Sequence, residues 1–179
     1  MGHTLVTRFD FIGYKKICSL VEDAEGKHQK LLKIPYGRNC NRVEADKNLP
    51  YHMTVFHWGK EQDSIYLMRM HEFQFSPCSL TVTGVSCMYA EEGSLLLYLD
   101  VITDRGYGQM RTHLEKILQI NTTVFPHITL AVSKDHEAIL ELKSCVEKKD
   151  VFPIQLNIIA LDIYHIWNPV KRVATFGIT

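Results

Sequence analysis

Residues 5–11 (LVTRFDF) carry the apolar, β-branched and aromatic content of a strand, and Tyr14 to about Glu25 follows with Ile17, Leu20 and Val21 on one helical face. Residues 33–50 show no sustained period, and Pro35-Tyr36-Gly37 and Asn48-Leu49-Pro50 punctuate them as turns. Strand character returns from Tyr51 to Trp58, closed by Gly59, and a helix is predicted over about 62–72. Two strands near 78–88 and 94–102 are joined by the acidic turn Ala90-Glu91-Glu92-Gly93. Met110, Leu114, Ile117 and Leu118 then form one stripe of a helix over about 107–119. A strand at 127–132, a helix at about 135–147 and a hairpin of 154–167 with 172–178, turning at Asn168-Pro169, complete the pattern.

The order contains an echo. A strand bearing His-x-Thr, then a helix, then a strand pair occurs twice, and the two motifs stand 75 residues apart. No linker rich in Gly, Ser or Pro divides the chain, so residues 1–179 are read as one domain.

Composition narrows the function. Hydrophobic residues at 46% can build a sizeable core, while 20 basic against 20 acidic residues leave no net charge. A protein that coats long duplex nucleic acid carries a basic excess, because phosphate neutralisation supplies most of its affinity. This balance argues against such a protein and leaves room for a short oligonucleotide or a nucleotide, such as a short RNA end, held in a local positive cleft. Cys18, Cys40, Cys78, Cys87 and Cys145 are odd in number and scattered, without C-x-x-C, so neither a disulfide framework nor a zinc site is signalled. Reduced thiols and a cytoplasmic location are expected. No apolar run approaches the roughly 20 residues that span a bilayer, so no membrane partner is expected.

The candidate chemistry sits in the repeated motif. In His52-Met53-Thr54-Val55 and His127-Ile128-Thr129-Leu130, strand alternation puts His and Thr on one face and the apolar residues on the other. Chance gives roughly a tenth of one such match in a chain of this composition, so two arise by accident in under about one per cent of chains. Histidine, with an unperturbed pKa near 6.5, serves as base or acid at neutral pH, and two hydroxyls beside the imidazoles can hold a phosphate. In-line cleavage of a phosphodiester needs one base for the nucleophile and one acid for the leaving oxygen. This set supplies both without a metal or another cofactor.

The segments Asn48-Leu49-Pro50-Tyr51-His52-Met53-Thr54-Val55 with Gly59, and Phe125-Pro126-His127-Ile128-Thr129-Leu130-Ala131, resemble the paired signatures of the 2H phosphoesterase superfamily, the LigT-like or 2′-5′ RNA ligase-like proteins. The resemblance covers nearly the whole chain. It implies a bilobal α+β fold with pseudo-twofold symmetry: two antiparallel sheets face one another across a central cleft, helices cover the outside, and each lobe gives one His-x-Thr strand. It implies 2′,3′-cyclic phosphates or 2′-5′ linkages of RNA or nucleotides as substrates, with His52 and His127 as the proton-transfer pair and Thr54 and Thr129 as phosphate ligands. The same site can run the reverse reaction, joining RNA ends, and a site that binds an RNA end without turnover is a third reading.

Other residues follow from position. Continued alternation puts Phe56 and Ala131 in the cleft, where Phe56 would stack on a base, narrow the site or simply pack between the lobes, and turns His57 away from it. That alternation also sets His52 and His57 on opposite faces, unable to share a metal ion without a bulge. Arg38, Arg42 and Lys47 precede the first motif and Arg8 ends the first strand, the nearest cations for a phosphate cleft. Arg42, Tyr14 and Trp167 are the further expected substrate contacts. A monomer is expected.

Overall fold

The computed structural model describes residues 2–22, 51–59, 63–71, 73–121, 124–165 and 171–177. Arg38, Arg42, Lys47, Tyr36 and Trp167 lie outside them. Among the described residues the strands are β1 (Gly2–Phe9), β2 (Thr54–Gly59), β3 (Cys78–Tyr89), β4 (Leu95–Thr103), β5 (His127–Ser133), β6 (Ile154–His165) and β7 (Lys171–Gly177). The helices among the same described residues are α1 (Phe11–Glu22), α2 (Asp63–Met70), α3 (Arg105–Leu118) and α4 (His136–Glu147), in the predicted order.

Capping explains where boundaries moved. The first strand stops two residues short of the expected end, because Asp10 leaves the extended run to cap α1. Its carboxylate accepts from the Gly13 amide at 2.6 Å and from Asn157 Nδ2 at 2.7 Å. A side chain at position 13 would meet Asp10 Oδ1 at 2.7 Å and Leu156 Cδ2 at 2.8 Å, so glycine allows α1 to sit against β6. Asp104 caps α3 in the same way, accepting from the Tyr107 amide at 2.7 Å and tying the helix to β3 through the Ser79 amide at 2.7 Å and hydroxyl at 2.9 Å. Burial acts to raise the Asp104 pKa, and the hydrogen bonds from Tyr107, Ser79 and Gly106 outweigh it, holding the carboxyl below its ordinary value.

The fold is α+β and its pairings are antiparallel. One hydrogen-bonded sheet runs β2-β1-β6-β3-β4-β5, with β7 added on β6. Two separate sheets were expected; hydrogen bonding instead joins the halves through β6. The first part of β6, Ile154–Ile158, pairs with β3, and its second part pairs with β1 on one edge and β7 on the other. A register shift between Arg8 and Phe9 leaves Ile159 as an extra residue. That bulge moves the core-facing set from Ile154, Leu156 and Ile158 to Leu161 and Ile163, so one apolar face continues across both halves.

The four described helices pack on that face. Ile17 and Leu20 of α1, Met70 of α2, Leu114 of α3 and Leu142 of α4 share one cluster with Leu5, Val55, Leu80, Leu97, Ile128 and Leu161 of the strands. The opposite face of the sheet, away from the helices, carries the polar residues described next.

Candidate active site

The two motif strands are the ends of the sheet path, and a bridge between them brings the ends together. Met53 pairs antiparallel with Ile128, both fully buried on the helix side. In an antiparallel bridge the flanking residues oppose one another in reverse order. His52 therefore stands opposite Thr129, and Thr54 opposite His127, on the face away from the helices. The bridge thus unites all four residues of the doubled motif, with local twofold pseudosymmetry.

Thr7 secures the first motif. Its amide donates to the Met53 carbonyl at 2.9 Å, and its hydroxyl accepts from the Met53 amide at 3.0 Å. His52 is almost completely buried, with 8% of its surface exposed, whereas Thr54, His127 and Thr129 are half-buried. The second motif is anchored through its imidazole: His127 Nδ1 lies 2.7 Å from the Phe125 carbonyl. A carbonyl only accepts, so the hydrogen is assigned to Nδ1 and Nε2 keeps its lone pair. The ring sits in an aromatic corner, stacked on Phe125 at 5.7 Å and edge-on to Tyr98 at 5.6 Å.

Each motif carries a β-bulge at the same place. In β2, Val6 pairs with Thr54 and Leu5 with Phe56, leaving Val55 extra; in β5, Tyr98 pairs with Thr129 and Leu97 with Ala131, leaving Leu130 extra. An extra residue reverses the alternation beyond it. Two consecutive residues then face the core in each strand, Val55 with Phe56 and Leu130 with Ala131, all with no exposed surface.

The bulges overturn three expectations. Phe56 and Ala131 do not face the cleft. Phe56 lies in the core with the Arg111 guanidinium of α3 5.8 Å from its ring centre, so it is not a stacking platform. His57, expected to face away, shares the face of His52 and Thr54. Its pKa is held below the ordinary value by desolvation and, secondarily, by the nearby charge of His127. The bulge also removes the objection to His52 and His57 sharing an ion, yet among the described residues no three His, Cys, Asp or Glu are grouped to hold a metal.

Tyr14 is also displaced from its expected role. It lies on α1, on the helix side, with its ring 6.2 Å from Tyr51 and against the edge of the core. Arg8 is on the motif face, two residues along β1 from Val6, which pairs with Thr54. Its Nε donates to Asp162 Oδ2 at 2.7 Å, and its Nη2 donates to Asp162 Oδ1 at 2.5 Å and Thr175 Oγ1 at 3.1 Å. Sequence reasoning missed Asp162, which is 1% exposed, because a lone Asp in an apolar strand carries no signal of its partner.

No protein-family model matches the chain, and no curated protein sequence does. Solved structures do. A Thermus thermophilus protein, TT0787, superposes with a TM-score of 0.62 at 12% identity, covering 99% of this chain and 98% of that one. Escherichia coli LigT in complex with 3′-AMP gives a TM-score of 0.57 at 14% identity over 99% and 97%. The chain has the LigT-like fold. Kluyveromyces marxianus Usb1 extends the likeness, with a TM-score of 0.50 at 11% identity over 99% and 98%. In the LigT-like frame of this chain, both His-x-Thr motifs lie where the ends of the sheet meet.

Proposed function

We propose that the protein is a 2H phosphoesterase that hydrolyses 2′,3′-cyclic phosphates or 2′-5′ phosphodiesters of RNA ends or nucleotides without a metal. The observation that carries this reading is the Met53–Ile128 bridge, with a His-Thr pair on either side of it. LigT, whose fold the chain shares, has been crystallised with 3′-AMP, a nucleoside monophosphate.

In this reading the phosphate lies over the bridge, and the Thr54 and Thr129 hydroxyls donate to its non-bridging oxygens as negative charge grows on them. One imidazole removes a proton from water as the water oxygen bonds to phosphorus. The other protonates the departing ribose oxygen as its bond to phosphorus breaks. His127 is prepared for either role, because the Phe125 carbonyl occupies Nδ1 and leaves Nε2 for the proton. In the end-joining alternative a ribose hydroxyl takes the place of water: one imidazole removes its proton as its oxygen bonds to phosphorus, and the other protonates the cyclic ester oxygen as that bond breaks.

The test is turnover of a panel of 2′,3′-cyclic nucleotides and short cyclic-phosphate-ended RNAs in EDTA, beside single and double His52→Ala and His127→Ala variants. The expected result is a bell-shaped pH–rate profile, undiminished activity in EDTA, and a loss of roughly 10²-fold or more for each single variant. Abolition of activity by the chelator would remove the metal-free mechanism. A histidine variant with near-normal rate would remove that residue from it.

A further inference from the structure

The face that carries the two motifs also holds an arginine fixed in place away from them. Arg8 is gripped by both oxygens of Asp162, and Thr175 of β7 braces the pair by donating to Asp162 Oδ1 at 2.7 Å. Burying a carboxylate is costly unless it is fully paired, and here the pairing is bidentate with a third donor. The cation is not buried with it: the Arg8 side chain is 32% exposed against 1% for Asp162. Nε and Nη2 are engaged, whereas Nη1 has no hydrogen-bond partner among the described residues. An arginine held this way presents two N–H groups in a fixed direction, with its side-chain entropy already lost.

Direction decides what it can reach. Asp162 and Thr175 belong to β6 and β7, on the side of β1 remote from β2. The guanidinium is therefore drawn about two strand spacings, roughly 10 Å, from the strand of His52 and Thr54. That is too far to hold the phosphate over the Met53–Ile128 bridge, and suitable for an anionic group elsewhere on the same ligand. Beyond it, Tyr164 pairs with Arg172 across β6 and β7 on the same face, adding a second cation on that side.

We propose that Arg8, positioned by Asp162 and Thr175, binds a second phosphate of the substrate, so that the site favours nucleotides or RNA ends bearing a phosphate besides the reacting one. This deepens the phosphoesterase reading and rests on it for the identity of the ligand.

Binding and turnover separate the two ideas. By calorimetry, a nucleoside 3′,5′-bisphosphate should bind roughly tenfold or more tightly than the 3′-monophosphate, as one added charge-assisted contact predicts. The double variant Arg8→Gln/Asp162→Asn removes both charges together and leaves no orphaned buried carboxylate. In that variant, checked for its fold by circular dichroism, the ratio of the two affinities should fall to near one. No preference in the wild type, or the same preference in the variant, would overturn the proposal. In parallel, kcat/KM is measured for a nucleoside 2′,3′-cyclic phosphate with and without a 5′-phosphate. The 5′-phosphate should lower KM in the wild type, and the variant should lose that advantage. Cleavage that persists in His52→Ala/His127→Ala, or that never occurs, would defeat the phosphoesterase reading while the affinity ratio still decided the role of Arg8.

Discussion

A single imidazole illustrates how much local context sets chemistry in this site. His57 lies on the motif face beside His127, and desolvation first, then the charge of His127, hold its pKa below 6.5. The unfolded chain therefore binds a proton more readily than the folded one. By linkage, stability falls as the pH drops from about 6.5 through the lower folded value, and the contribution is absent above that window. His57→Gln should flatten this part of the pH dependence. Urea midpoints at pH 7.5 and pH 5.5 would check it: the wild type should lose more stability between the two than the variant. Equal losses would show that another group governs the acid limb. The proposed reaction would feel the same imidazole, since a neutral His57 near His127 adds no fixed positive charge to the site. His57→Lys should shift the pH–rate profile, because a permanent cation would disfavour protonated His127.

Elements owe their limits to a few polar residues rather than to apolar periodicity. Asp104 ends β4, begins α3 and ties that helix to Ser79 of β3. Asp104→Ala should cost about 1 kcal/mol at pH 7 and fray the first turn of α3, measurable as a lowered urea midpoint. Because the Asp104 pKa is lowered in the folded protein, its stabilising effect is present above about 3.8 and is lost as the pH falls through the folded value. The difference between wild type and variant should therefore shrink at strongly acid pH. Thr7 plays the equivalent part for β2, satisfying the Met53 amide where the chain approaches the strand. The bulges at Val55 and Leu130 complete the local design: each lets a polar strand edge turn two successive apolar residues into the core.

At the scale of the molecule, Met53 and Ile128 connect the two ends of the sheet and bury the underside of the site. Met53→Ala should destabilise by about 2–5 kcal/mol through the cavity it leaves. It should also lower kcat/KM well beyond what stability explains, since small displacements of reacting groups cost up to about 10²-fold. Leu142→Ala is the matched comparison, because Leu142 is equally buried but lies on α4. That variant should lose similar stability with little change in kcat/KM. If both lost activity alike, the bridge would have no special part in aligning the motifs.

Much of this was legible in the amino-acid order alone. Hydrophobic periodicity marked the succession of strands and helices, since each period follows from local backbone geometry. The doubled His-x-Thr pattern singled out His52, Thr54, His127 and Thr129, because strand alternation acts over neighbouring residues and holds up to the bulge. Beyond Val55 and Leu130 the reading reversed, and Phe56, Ala131 and His57 were assigned to the wrong faces. A bulge is defined by the register of the partner strand, and no spacing within β2 or β5 reveals it. The same limit hid the opposition of His52 to Thr129, the joining of both halves through β6, and the grip of Asp162 on Arg8 across 154 residues of chain. The sequence alone singled out the two His-Thr pairs as the candidate site; the pairing of distant strands decided which of these side chains meet, because register is a property of two segments together.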